Sequence, residues 1–255
     1  MEKPLILVTN DDGITAKGIL SLIEAVKSFG RVVVVAPDKP QSGMGHAITV
    51  NHPLRLAKST IFKDVEAYTC TGTPVDCVKL AIYEILKRKP DILVSGINHG
   101  DNSSSNVLYS GTMSAAVEGA MEEIPSIGFS LLDHGSDADF TTSKVVVKQV
   151  LTSVIKNDFP LGTCFNVNIP NCNSSDLKGV KVCRQGKAHW DDKFDKRLDQ
   201  FGKPYYWLTG EFKKVDKGAE ADTAALENNW ATLVPIQFDM TAHHLISELN
   251  EWDIK

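Results

Sequence analysis

The chain has 255 residues, a net charge of -5, 42% hydrophobic residues and five cysteines with no CxxC pair. That length suits one large α/β domain or one domain with an appendage, and the mild acidity argues against a general nucleic-acid binder. The cysteines (Cys70, Cys77, Cys164, Cys172, Cys183) are scattered as reduced thiols would be, and no stretch reaches membrane-spanning length, so a cytoplasmic protein is expected.

Leu5-Ile6-Leu7-Val8 is an apolar run that asks for burial on both faces, as in a strand inside a parallel sheet. It breaks at Asn10-Asp11-Asp12-Gly13, which puts two adjacent carboxylates at the carboxyl end of that strand. Residues 14–29 carry Ile19, Leu22, Ile23 and Val26 on one helical face, ended by Gly30. Val32-Val33-Val34-Val35 is a second buried strand, which completes a βαβ unit and makes the sheet parallel. Its loop, Asp38 to His46, holds Gly43 and Gly45 but lacks the third glycine and the helix of a dinucleotide fingerprint. Alternation at Ala47–Val50 and Leu54–Leu56 predicts short antiparallel strands. Thr73-Pro74-Val75-Asp76 then opens a helix to about Lys89, with Cys77 on its buried side.

A third buried strand, Pro90–Ser95, leads into a loop of glycine, asparagine and serine from Gly96 to Asn106. Ser110-Gly111-Thr112 begins a small-residue helix, and free amides with two hydroxyls at its positive end suit a phosphate. Ile124–Phe129 and Phe165–Pro170 are further strands around a helix at Val145–Ile155, and the second alternates as though one face were polar. Beyond Asn171 the composition turns charged and aromatic, with Trp190, Phe194, Phe201, Tyr205, Tyr206, Trp207 and Phe212. This predicts a β-rich extension whose aromatics serve either as an interface or as a small core of their own. A strand at Ala231–Ile236 and a terminal helix at Ala242–Trp252 close the chain.

Asn10-Asp11-Asp12, Gln41-Ser42-Gly43 and Asn98 with Asn102 all follow parallel strands, so neighbouring strands would bring these loops together. Two carboxylates, a hydroxyl and an amide make an all-oxygen site for magnesium or manganese, with the helix start at Ser110 as a phosphate cradle beside it. The plain alternative for the acidic pair is a solvated turn.

The same stretches resemble the SurE family, the survival-protein-E nucleotidases. The matches are Thr9-Asn10-Asp11-Asp12-Gly13, Ser42-Gly43, Gly72 to Cys77, Ser95 to Asn102, Tyr109 to Thr112 with Glu118-Gly119, and Asp222, Val234-Pro235 and Asp239 to His243. The resemblance implies a metal-dependent phosphatase acting on nucleoside 5'-monophosphates, with 3'-nucleotides and short polyphosphate as secondary substrates. It places one divalent ion, Mg2+ or Mn2+, on Asp11, Asp12, Ser42 and Asn98, and the phosphate on Asn102, Ser110, Gly111 and Thr112. Asp11 is the candidate for orienting or deprotonating the attacking water. Relatives exchange C-terminal segments between subunits, which implies a homodimer or homotetramer. The chain departs from many relatives at Met44-Gly45-His46 and at Ala221-Asp222.

The expected architecture is a doubly wound, mostly parallel, three-layer α/β core over residues 1–170. A β-rich extension and terminal helix follow over 171–255. An aspartyl-phosphate phosphatase is disfavoured, because its acids flank one residue whereas Asp11 and Asp12 are adjacent. A non-catalytic nucleotide sensor with the same ligands is the alternative from another class.

Overall fold

The structure is a computed structural model and describes residues 3–254. Strands β1 (Leu5–Thr9) and β2 (Arg31–Pro37) flank helix α1 (Lys17–Val26), which is shorter at both ends than its apolar pattern suggested. Then come β3 (Leu56–Ser59), β4 (Glu66–Cys70), α2 (Pro74–Leu80), β5 (Ile92–His99), α3 (Gly111–Met121), β6 (Ser126–Leu131), α4 (Thr141–Lys156) and β7 (Thr163–Ile169). The last part holds β8 (Val180–Val182), the long pair β9 (Ala188–Leu198) and β10 (Pro204–Lys214), α5 (Asp222–Glu227) and β11 (Ala231–Gln237).

Nine strands form one sheet in the order β3-β4-β2-β1-β5-β6-β7-β11-β8, parallel throughout its centre. Helices α1 and α4 pack together on one face, and α2 and α3 on the other. Alternate residues of the central strands therefore serve different cores. Ile6, Val8, Val34 and Val94 join the α1/α4 layer, while Leu7, Val35 and Leu93 join the α2/α3 layer. This is why β1 and β2 read as unbroken apolar runs. The chain leaves β1 for β2 on one side and reaches β5 on the other, so a crevice opens at their carboxyl ends.

Four local expectations change. Ala47–Val50 is not a strand; Ile48 and Val50 face solvent, so their alternation marks no buried face. Side chains hold it instead, with Thr73 Oγ1 donating to the Ala47 carbonyl and Thr49 donating twice to Asp76. The helix begun at Pro74 widens into a π turn over Ala81–Leu86 and stops at Lys87, which has φ +52°. β5 runs on to His99 through a bulge between Ser95 and Asn98, which re-aims Asn98 and His99. Gly18 permits α1 to lie against that bulge, since a Cβ there would come 1.9 Å from the Ile97 carbonyl oxygen.

The tail keeps only a 3-10 turn, His243–Leu245, and one helical turn, Ile246–Leu249, with no buried residue. An apolar face with nothing to pack on does not sustain a longer helix. β9 and β10 form a separate antiparallel hairpin, whereas β8 and β11 complete the main sheet. Among the described residues no helix is long and apolar enough to cross a membrane.

Candidate active site

β2, β1 and β5 are adjacent and parallel, so their terminal loops converge as the sequence predicted. Asp11 is buried directly beyond β1, and Asp12 is half-buried beside it. The Thr112 hydroxyl donates to Asp11 Oδ1, and the Thr112 backbone N–H also favours that carboxylate. Asp12 Oδ2 accepts from the His99 N–H at 3.3 Å. Burial, then the neighbouring Asp12 charge, push Asp11 up to about 6 against the opposing Thr112 bonds. Burial also raises Asp12, while the His99 N–H opposes it.

The loop after β2 is tied down on both sides of Ser42. The Gln41 N–H donates to the Asp11 carbonyl at 2.7 Å, and the Gly45 N–H donates to the Tyr109 carbonyl at 3.2 Å. Ser42 itself is exposed on that bridge. His46 then reaches the buried Glu118 of α3, with Nε2 and Oε2 3.0 Å apart, and Lys79 pairs with the other Glu118 oxygen. Burial alone would raise Glu118, but these two partners outweigh it and hold the carboxyl below its ordinary range. Asn98 is half-buried and its Nδ2 donates to the Gly100 carbonyl at 2.8 Å, so any metal ligation falls to Oδ1.

Ser110 caps α3 as expected: its Oγ accepts from the Met113 N–H at 3.0 Å. Gly111 has nearly no room for a side chain, because a Cβ would come 2.7 Å from Asp11 Cβ and 3.0 Å from Asp11 Oδ2. The positive end of α3 is thus applied directly to Asp11. Asn102 is placed differently from a free phosphate donor. It is buried, its Nδ2 donates to Ser130 Oγ at 2.7 Å, its N–H donates to Asn168 Oδ1 at 2.7 Å, and its carbonyl accepts from Asn166 Nδ2 at 2.8 Å. The polar alternation of Phe165–Pro170 was the sequence signal for this amide network, since paired asparagines in a buried strand need partners.

The donor set fits a hard divalent cation. Two carboxylates carried above their ordinary range are relieved by a cation, and Asn10 Oδ1 and Ser95 Oγ at the same strand ends are buried without a hydrogen-bond partner. Among the described residues no group of three or more His, Cys, Asp or Glu could hold a metal, so neutral oxygens such as Ser42 and Asn98 would have to complete the shell.

The fold is that of a doubly wound α/β protein, with paired acids at its switch point and the capped start of α3 set against them. The family model described as Survival protein SurE matches residues 6–192. The chain belongs to the SurE family. It is 60% identical over 255 residues, covering 100% of this chain and 99% of the other, to the 5'-nucleotidase SurE of Flavobacterium psychrophilum. It is 56% identical over 256 residues, covering 99% and 98%, to the 5'-nucleotidase SurE of Christiangramia forsetii. The crystal structure of the SurE protein from Aquifex aeolicus superposes with TM-score 0.84 at 39% identity, over 97% of this chain and 98% of that one.

Proposed function

We propose that this SurE-family 5'-nucleotidase works as a metal-dependent phosphomonoesterase on nucleoside 5'-monophosphates, with 3'-nucleotides and short polyphosphate accepted by the same cradle. The observation that carries the reading is the adjacent Asp11-Asp12 pair, with Asp11 buried and pressed against the start of α3. Asp11, Asp12, Ser42 and Asn98 would hold one Mg2+ or Mn2+. Bound, the ion supplies Lewis-acid polarisation of a phosphoryl oxygen and a lowered pKa for nearby water.

The chain's own residues do the rest. Ser110 shapes the helix start, and the Gly111 N–H, an early amide without an intrahelical acceptor, faces the anion. Thr112 fixes Asp11 through Oδ1. That leaves Oδ2, which lies over Gly111, to orient the attacking water or take its proton. Thr112 therefore serves Asp11 first and the phosphate second.

The working form is a homodimer or homotetramer. Register puts Trp190, Phe194 and Leu198 opposite Phe212, Leu208 and Pro204, so one face of the hairpin carries apolar pairs alternating with Asp192 and Lys196, and Phe194 and Leu208 are largely exposed. Phosphate release from AMP with added manganese tests the activity. Binding of metal and AMP without phosphate release would make the protein a nucleotide sensor instead.

A further inference from the structure

Asp222 is 0% exposed, yet its carboxylate reaches two segments that are distant in sequence, besides its own neighbour Thr223. Oδ2 accepts from the Ser104 N–H at 2.9 Å. Oδ1 accepts from the Gly186 N–H at 2.8 Å and the Thr223 N–H at 2.7 Å. The geometry points to Asp222 as a positioning residue for the loop from Asn102 to Ser110, locking it to the root of the β9–β10 hairpin. This rests on the reading of that loop as the wall of the phosphate site.

Several features make the lock specific. Ser104 is buried with φ +52°, a left-handed conformation that a residue with a side chain adopts only when its surroundings impose it. Its amide is held by Asp222 and its hydroxyl donates to the Gly186 carbonyl at 2.8 Å. Ser105 Oγ donates to the Ala188 carbonyl at 3.0 Å, and Trp190 Nε1 donates to Asn106 Oδ1 at 2.8 Å. Gly186 permits the approach, because a Cβ there would stand 2.8 Å from Asp222 Oδ1.

From Ser104 a short 3-10 helix, Ser104–Tyr109, leads straight into Ser110, the cap of α3. Asn166 and Asn168 grip the loop at residue 102, and Asp222 grips it at residue 104. A buried carboxylate with three amide bonds is a stiff anchor, and its loss leaves three buried donors unpaired. Small displacements of a binding group lower turnover steeply. The same residue thus connects the hairpin, with its exposed apolar pairs, to the wall of the active site.

The test compares Asp222→Ala with Gly186→Ala, which pushes a methyl against the same carboxylate and serves if the first variant does not fold. Two readouts are taken on the full chain: amide hydrogen exchange without substrate, and steady-state hydrolysis of AMP with manganese titration alongside. The expected result is faster exchange confined to residues 103–110 and 184–190, kcat/KM for AMP lower by about a hundredfold, and unchanged manganese affinity. Exchange that rises evenly over the whole chain, or parent-like kinetics with a loosened loop, would overturn the assignment. If the parent protein releases no phosphate from AMP, the nucleotidase reading fails by itself. The exchange arm still decides Asp222, since protected amides at 103–110 in the variant would refute the lock.

Discussion

Every residue of β1 is buried, whereas along β9 and β10 only Ala188 is. Both are strands, but they satisfy the hydrophobic effect differently. β1 finds α1 on one side and α2 on the other within its own chain. The hairpin leaves Phe194 67% exposed and stands outside the main sheet. A two-stranded ribbon is at best marginally stable alone in water. The packed centre therefore holds Asp11 and Asp12 side by side, while the hairpin leaves apolar residues such as Phe194 and Leu208 uncovered by the rest of the described chain. The predictions below probe each side of that contrast.

The largest effect is expected at Gly111. Gly111→Val should abolish AMP hydrolysis, measured by phosphate release. The family resemblance places this glycine against the phosphate. The structure adds that any Cβ meets Asp11, so calorimetry should also find weakened manganese binding. Thr112→Ala should lower kcat by roughly a hundredfold, the loss typical of one preorganised donor. Steady-state kinetics would then show whether KM stays near that of the parent, as a group that acts through Asp11 requires.

Much of the centre was legible because buried parallel strands, capping residues and glycines leave local signatures. β1, β2, the Thr73 and Ser110 caps and the convergence of three loops all follow from such signals. What the sequence hid was long-range pairing. Nothing near Asn102 announces Ser130, and nothing near Asp222 announces Ser104 or Gly186, because each bond spans tens of residues of chain. The bulge that carries Asn98 was equally silent, since Ser95-Gly96-Ile97 reads as a strand end. The tail misled for the opposite reason: its apolar periodicity is real, but nothing in the described chain packs on it.

The third prediction concerns pH. Burial, then the Asp12 charge, raise Asp11 in the folded protein to about 6, well above the ordinary carboxylate range. The stabilising contribution is then fully present below about pH 4 and lost as pH rises through 6. Without metal at pH 8, Asp11→Asn should therefore unfold later than the parent by on the order of 3 kcal/mol, a gap that closes toward pH 4. Denaturant melts at the two pH values check this, and equal stability at pH 8 would contradict it. Manganese must displace the same proton, so its affinity should fall below pH 6.

The smallest effect on chemistry is expected in the hairpin. Phe194→Asp with Leu208→Asp puts like charges directly opposite each other in place of an apolar pair. Light scattering should show a shift from at least a dimer toward the 27.9 kDa monomer. The melting transition of the main sheet should stay close to that of the parent, because no residue of β1 depends on the hairpin for burial. A parent protein that is already monomeric at micromolar concentration would break the comparison from the start.

The central claim is that Asp11 and Asp12 form one metal site that works on a phosphate at the start of α3. The most direct measurement is manganese titration by calorimetry on the parent and on Asp12→Asn, with AMP turnover recorded on the same samples. The account predicts one manganese site per chain in the parent. In the variant that site should be lost or greatly weakened, and turnover should fall by orders of magnitude while the circular dichroism spectrum is unchanged. Near-normal manganese affinity and turnover in Asp12→Asn would contradict it.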